Sequence, residues 1–93
     1  MTNKMDYIYT GPDGKAILIE KVQGDIRKSL ISQYIVCRKQ KGITQVELSQ
    51  KAGISQPNIT RFESGNYNPS LEMLVRIAEA LDMKLEIELK EKN

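Results

Sequence analysis

The stretch TQVELSQKAGISQPNITRFESG, residues 44 to 65, decides how this chain folds. Thr44-Gln45-Val46-Glu47 spells a capping box, in which the Thr hydroxyl takes one orphan amide and the Glu carboxylate reaches back for another. A helix of about two turns follows, with Val46, Leu48 and Ala52 as its inner face, and Gly53 stops it. Ser55 then reads as a second N-cap. Gln56 and Pro57 fall in the first turn of the next helix, where amide hydrogens have no partner inside the helix anyway. Proline costs nothing there, and its fixed φ helps the helix start. Ile59 and Phe62 keep helical spacing until Ser64-Gly65 ends the run.

The flanks are read outward from this pair. Upstream, Asp25 is placed to cap a long helix after Gly24. Leu30, Ile31, Tyr34 and Ile35 recur in it with helical period. It ends in RKQKG, where cations suit the helix dipole and Gly42 can adopt a left-handed stop. Downstream, Asn66 to Pro69 is a loop, and Ser70 caps a helix striped by Leu71, Leu74, Val75, Ala78 and Leu81. In KLEIELK, residues 84 to 90, Leu85, Ile87 and Leu89 alternate with charge, the period of a half-buried strand. Near the N-terminus, YIYTGPDGKAILIE reads as a hairpin turning on Gly-Pro-Asp-Gly. The expected fold is mainly α, with an N-terminal hairpin and a C-terminal β-strand. Its divisions are an extended segment 1–24, a helical domain 25–82 and a terminal strand and tail 83–93.

Composition narrows the function. The 93 residues suffice for one small domain, with 40% hydrophobic and 28% charged residues and few aromatics. Without histidine the commonest general base and metal ligand is missing. The single cysteine, Cys37, lies in a helical stretch and reads as a packing residue. No nucleophile–base pair, Gly-rich phosphate loop or metal cluster can be assembled, so an enzyme, a metal site and a cofactor are not expected. No apolar run is long enough for a membrane, and no secretion signal opens the chain, which predicts a cytoplasmic protein. The net charge of +2 conceals a gradient: residues 1–26 carry −1, residues 27–61 carry +6, and residues 62–93 carry −3. A basic middle between acidic ends suits a polyanion.

Two short helices around a Gly-centred turn make a helix-turn-helix arrangement, although an ordinary helical hairpin has the same outline. The small residue Ser49, then Gly53, Ile54, Ile59 and Phe62, occupy the places such a unit requires. Over roughly residues 30 to 82 the chain resembles the DNA-binding domain of Cro/CI-type (Xre-like) repressors. Thr-Gln opens its second helix, Ile-Ser-Gln the third, and Glu-Ser-Gly ends the third. Ser49 departs from the alanine usual in that family. The resemblance implies that helix 56–63 enters the major groove of double-stranded DNA. Gln56, Pro57, Asn58, Thr60 and Arg61 would then contact bases. An amide can pair bidentately with adenine and a guanidinium with guanine, while Pro57 offers only an apolar contact. Phosphates would be bound by Thr44, Gln45 and Ser55 at the helix starts and by Asn66, Tyr67 and Asn68 in the loop. Arg38 and Glu63 would form a structural ion pair, taking no part in base reading.

One recognition helix reads few base pairs, so such proteins usually dimerise on a palindromic operator. Leu85, Ile87 and Leu89 mark the strand that would pair with its symmetry mate, or else with residues 15–20 of its own chain. A single domain of this kind ending in LEIELK is also similar to HigA- and HipB-type antitoxins. That likeness adds a toxin protein as a partner, contacted by residues 1–24. A helix-turn-helix reused purely for protein interaction remains a third reading, opposed by the hydrogen-bonding residues at the start of helix 56–63.

Overall fold

The computed structural model describes residues 8–10 and 16–92. The chain begins with β1 (Ile8–Thr10), which pairs antiparallel with β2 (Ala16–Leu18) in the register Ile8 to Leu18. The Gly-Pro-Asp-Gly turn expected between them lies outside the described residues. Four helices follow: α1 (Ile19–Gln40), α2 (Gln45–Ala52), α3 (Gln56–Ser64) and α4 (Leu71–Ala80).

The start of α1 corrects the expectation of an Asp25 cap. The helix opens at Ile19 after Leu18, whose side chain makes no capping bond, and runs through Gly24 for 22 residues. Its first turns consist of competent helix formers, and Lys21 pairs with Asp25 one turn on at 3.2 Å. These contributions outlast the cost of one interior glycine, about 0.5–1 kcal/mol. The second hairpin strand therefore ends at Leu18 rather than reaching Glu20. The expected boundary between residues 24 and 25 falls within one continuous helix.

At α2 and α3 the local signals are realised. Thr44 Oγ1 accepts from the Glu47 amide, and the Glu47 carboxylate accepts from the Thr44 amide, closing the capping box. Ser55 Oγ accepts from the Asn58 amide, with Pro57 in the first turn. Gly42, Gly53 and Gly65 all take positive φ at helix ends. Ser70 caps α4 through the Met73 amide. That helix ends with Asp82 in a left-handed conformation and the Met83 amide bonded back to Ala78 O, a Schellman closure without glycine.

The core gathers Ile31 and Tyr34 from α1, Leu48 and Ala52 from α2, Ile59 and Phe62 from α3, and Leu74, Ile77, Ala78 and Leu81 from α4 and its end. Burying an aliphatic or Phe side chain of this kind contributes about 1.5–3 kcal/mol. Tyr34 meets Phe62 edge-on with centroids 5.2 Å apart, and its hydroxyl donates to Leu74 O at 2.8 Å. Burial pushes the Tyr34 phenol above its ordinary pKa. Three residues expected on inner faces are exposed instead: Val46, Leu71 and Val75. Each sits at the margin of its helical stripe. Ile77, fully buried, takes the central place on α4.

The C-terminal β-strand is also corrected. Residues 83–92 form no strand, and no ladder pairs them with any described residue. A strand exists only where another backbone supplies hydrogen-bond partners, and β2 turns into helix at Leu18. Lys84 and Glu86 still form a contact, as do Glu88 and Lys90, so the charges share a side. Leu85 packs against the core, whereas Ile87 and Leu89 are exposed. Among the described residues, no helix is long and apolar enough to cross a membrane.

Candidate nucleic-acid interface

Helix α3 is anchored by one face and offered by the other. Ile59 and Phe62 are sealed in the core, at 0% and 1% exposure. Helical geometry sends Pro57, Thr60, Arg61 and Ser64 to the opposite side, with Gln56 at the exposed N-terminal edge. Asn58 parts company with them. It is half-buried in a depression shared with Ser55, Ser70, Met73 and Arg76, between the α2–α3 turn and the start of α4.

A buried ion pair fixes where α3 ends. Arg38 on α1 grips the Glu63 carboxylate with two bonds, Nε to Oε2 at 2.6 Å and Nη2 to Oε1 at 3.0 Å. Its remaining nitrogen donates to Ile43 O. Both side chains are nearly buried, so the guanidinium is spent on the scaffold.

The same carboxylate reaches the start of α2. Gln45 Nε2 donates to Glu63 Oε1 at 2.9 Å, and Thr60 Oγ1 donates to Gln45 Oε1 at 3.1 Å. Gln45 and Thr60, one expected on a phosphate and the other on a base, are therefore bonded to each other. The Gln45 backbone amide lies in the first turn of α2, where no carbonyl of the helix can reach it. The Thr44 and Ser55 hydroxyls accept capping bonds through their oxygens, and Ser55 keeps its proton for donation.

The loop after α3 is held from both sides. Arg27 Nε donates to Gly65 O at 2.8 Å, and its Nη1 donates to Asn68 Oδ1 at 2.6 Å. Tyr67 is half-buried against the core with its hydroxyl on Met73 Sδ, and the Arg61 guanidinium lies over its ring, 5.7 Å from the centroid. Asn66 is exposed, and its amide is bonded to Ser64 Oγ. Lys28, Lys39, Lys41 and Lys51 are exposed and form no ion pair among the described residues.

Sequence reasoning missed two of these contributors. Arg27 was counted only as part of the basic middle, because nothing local announces a partner 41 residues away. Ser49 was read as a small residue tolerated by packing. Its hydroxyl in fact donates to Ile54 O at 2.6 Å, while the Ile54 amide donates to Ser49 O, so the turn is tied in both directions. No described group of acidic, Cys or His side chains could hold a metal ion.

The helix-turn-helix family matches residues 37–87, more than half of the chain, and the chain belongs to that family, the Cro/CI-type (Xre-like) regulators. It is 39% identical over 65 residues to an uncharacterized HTH-type transcriptional regulator of Haemophilus influenzae, covering 70% of this chain and 66% of that protein. It is 36% identical over 62 residues to antitoxin HigA1 of Mycobacterium tuberculosis, covering 67% and 42%. An immunity repressor protein of Bacillus phage phi105 is 40% identical over 48 residues, covering 52% and 33%. The chain thus spans from a third to just under two thirds of these relatives' own lengths. No solved structure matches it.

Proposed function

We propose that this chain is a transcriptional repressor that binds double-stranded DNA as a homodimer, with α3 in the major groove. The observation that carries the reading is the two-sided character of α3. Ile59 and Phe62 lock the helix to the core, while Gln56, Thr60 and Arg61 stand exposed on a short helix that Pro57 starts cleanly. Arg61 has the donor fork for a guanine edge, and Gln56 the paired donor and acceptor for an adenine edge. Pro57 and Thr60 add contacts at the base edges. Asn58, in its depression, contributes only where the groove wall reaches it. Thr44, Gln45 and Ser55 approach the phosphates with hydroxyls and first-turn amides, and Asn66, Tyr67 and Asn68 flank the backbone further along. The exposed lysines add attraction that depends on salt and ignores sequence.

The exposed residues Ile87 and Leu89 support a dimer in which the terminal segments of two copies pair as strands, with Leu85 packed on the core of each copy. Such pairing would bring two α3 helices to half-sites about one helical turn apart. Selection from random duplex DNA tests this reading. Enrichment of a two-fold symmetric site is expected, and weak binding that follows salt but no sequence would refute it.

A second reading adds a protein partner. The HigA1 relative and the exposed apolar residues Leu18, at the end of β2, and Ile19, Val22 and Ile26, on the first turns of α1, favour an antitoxin that also holds a toxin through its N-terminal segment. Co-expression with the product of the neighbouring gene tests it. Relief of that product's toxicity, lost in a Val22→Glu/Ile26→Glu variant that still binds DNA, is the expected result. A neighbour whose product is harmless alone would remove the toxin from the account.

A further inference from the structure

We propose that Tyr67 is a positioning residue for Arg61, and that Arg27 on α1 holds the loop that carries it, so base reading by α3 depends on residues outside α3. The inference rests on the DNA-binding reading above. The Arg61 side chain is long, exposed and free to sample many rotamers, whereas a bidentate contact to a base edge demands a single guanidinium orientation. An arginine ordered before DNA arrives loses less freedom on binding. The Tyr67 ring is the surface that orders it, with the guanidinium carbon 5.7 Å from the centroid and within the range of a cation–π contact.

The platform is itself immobilised. Tyr67 packs on the core, and its hydroxyl is occupied by Met73 Sδ. One arginine holds the loop on either side, through the Gly65 backbone carbonyl two residues before the ring and the Asn68 side-chain oxygen one residue after. Arg27 lies N-terminal to the family match over residues 37–87, on the part of α1 that extends beyond it. A hydroxyl committed to a thioether and a ring committed to a guanidinium describe a platform better than a phosphate ligand.

The test is the base-preference profile of Tyr67→Leu, Tyr67→Phe and Arg27→Met, set beside wild type and Arg61→Ala, on duplexes varied one base pair at a time. Arg61→Ala identifies the base pair that Arg61 reads. Tyr67→Leu is expected to weaken preference at that base pair alone by about three- to fivefold. Tyr67→Phe, which keeps the ring, restores the preference, and Arg27→Met relaxes the same base pair. A uniform loss on every sequence in both Tyr67 variants would assign the hydroxyl to a phosphate and overturn the proposal. An unchanged profile in Tyr67→Leu would overturn it too. Should Tyr67→Leu fail to fold by circular dichroism, Arg27→Met decides alone, and an unchanged profile there counts against the proposal. Failure of wild type to prefer any sequence would defeat the DNA-binding reading itself and the proposal with it. A selective wild type beside an unaltered Tyr67→Leu would defeat only the proposal.

Discussion

Ser49 and Glu63 show how much a single side chain carries here. The Ser49 hydroxyl closes the α2–α3 turn onto Ile54 O, a bond that the usual alanine could not make. Ser49→Ala is expected to lower stability by about 1 kcal/mol in urea unfolding; an unchanged midpoint would mean the bond is matched by water in the variant. Glu63 accepts from Arg38 and Gln45 at once, in a place where both members of the ion pair are nearly buried. Glu63→Ala leaves a guanidinium without its counter-charge, and a loss of roughly 3 kcal/mol is expected. A loss under 1 kcal/mol would show that Arg38 escapes to solvent. The pair could be foreseen from the resemblance. The extension of its network through Gln45 to Thr60 could not, because it depends on the angle at which α2 meets α3.

Capping governs the elements, and capping was legible because its signals lie within three residues of each other. Thr44 with Glu47, Ser55 with Pro57, Ser70, and the glycines at 42, 53 and 65 each specify a local geometry that the rest of the fold leaves intact. Glu47 makes this measurable. Its bond from the Thr44 amide, then that from the Thr44 hydroxyl and the charge of Lys51, hold its carboxyl below the usual range. Because the folded value is the lower one, the capping box contributes fully above the ordinary Glu pKa. The contribution is lost as pH falls through Glu47's depressed value. An NMR titration should find Glu47 titrating low in wild type and shifted part of the way toward its ordinary value in Thr44→Ala, which removes the hydroxyl and keeps the backbone amide; identical values in both would contradict the hydroxyl's share. Stripe margins were less legible. Val46, Leu71 and Val75 fit the helical period, yet which edge of a stripe is covered depends on the neighbouring helix and not on spacing. The start of α1 was misread for a related reason, since Gly24 and Asp25 imitate a start that propensity and the Lys21–Asp25 pair override.

Across the whole molecule, the charge is graded along the chain and the C-terminal segment has no paired strand among the described residues. Arg38 is neutralised by Glu63, so the positive middle rests on Arg27, Arg61 and the exposed Lys28, Lys39, Lys41 and Lys51. The strand expected at residues 84–90 was legible as an alternating pattern, but no sequence states whether a partner backbone exists in the same chain. The tail leaves Ile87 and Leu89 exposed, with no such partner among the described residues. If two tails pair, an Ile87→Glu/Leu89→Glu variant is expected to sediment as a monomer at concentrations where wild type is a dimer. Its helical signal would be retained, and its affinity for a symmetric site would fall by far more than for a half-site. Equal sedimentation of both proteins would place the dimer contact elsewhere or remove it.

The central claim, that α3 reads bases, is tested most directly by repeating the random-duplex selection with Arg61→Ala under the wild-type conditions. The same symmetric site is expected, with preference relaxed at one base pair in each half-site. There, a loss of roughly 1–3 kcal/mol of discrimination is expected for a single bidentate contact. A selected sequence identical in both proteins, position by position, would contradict it.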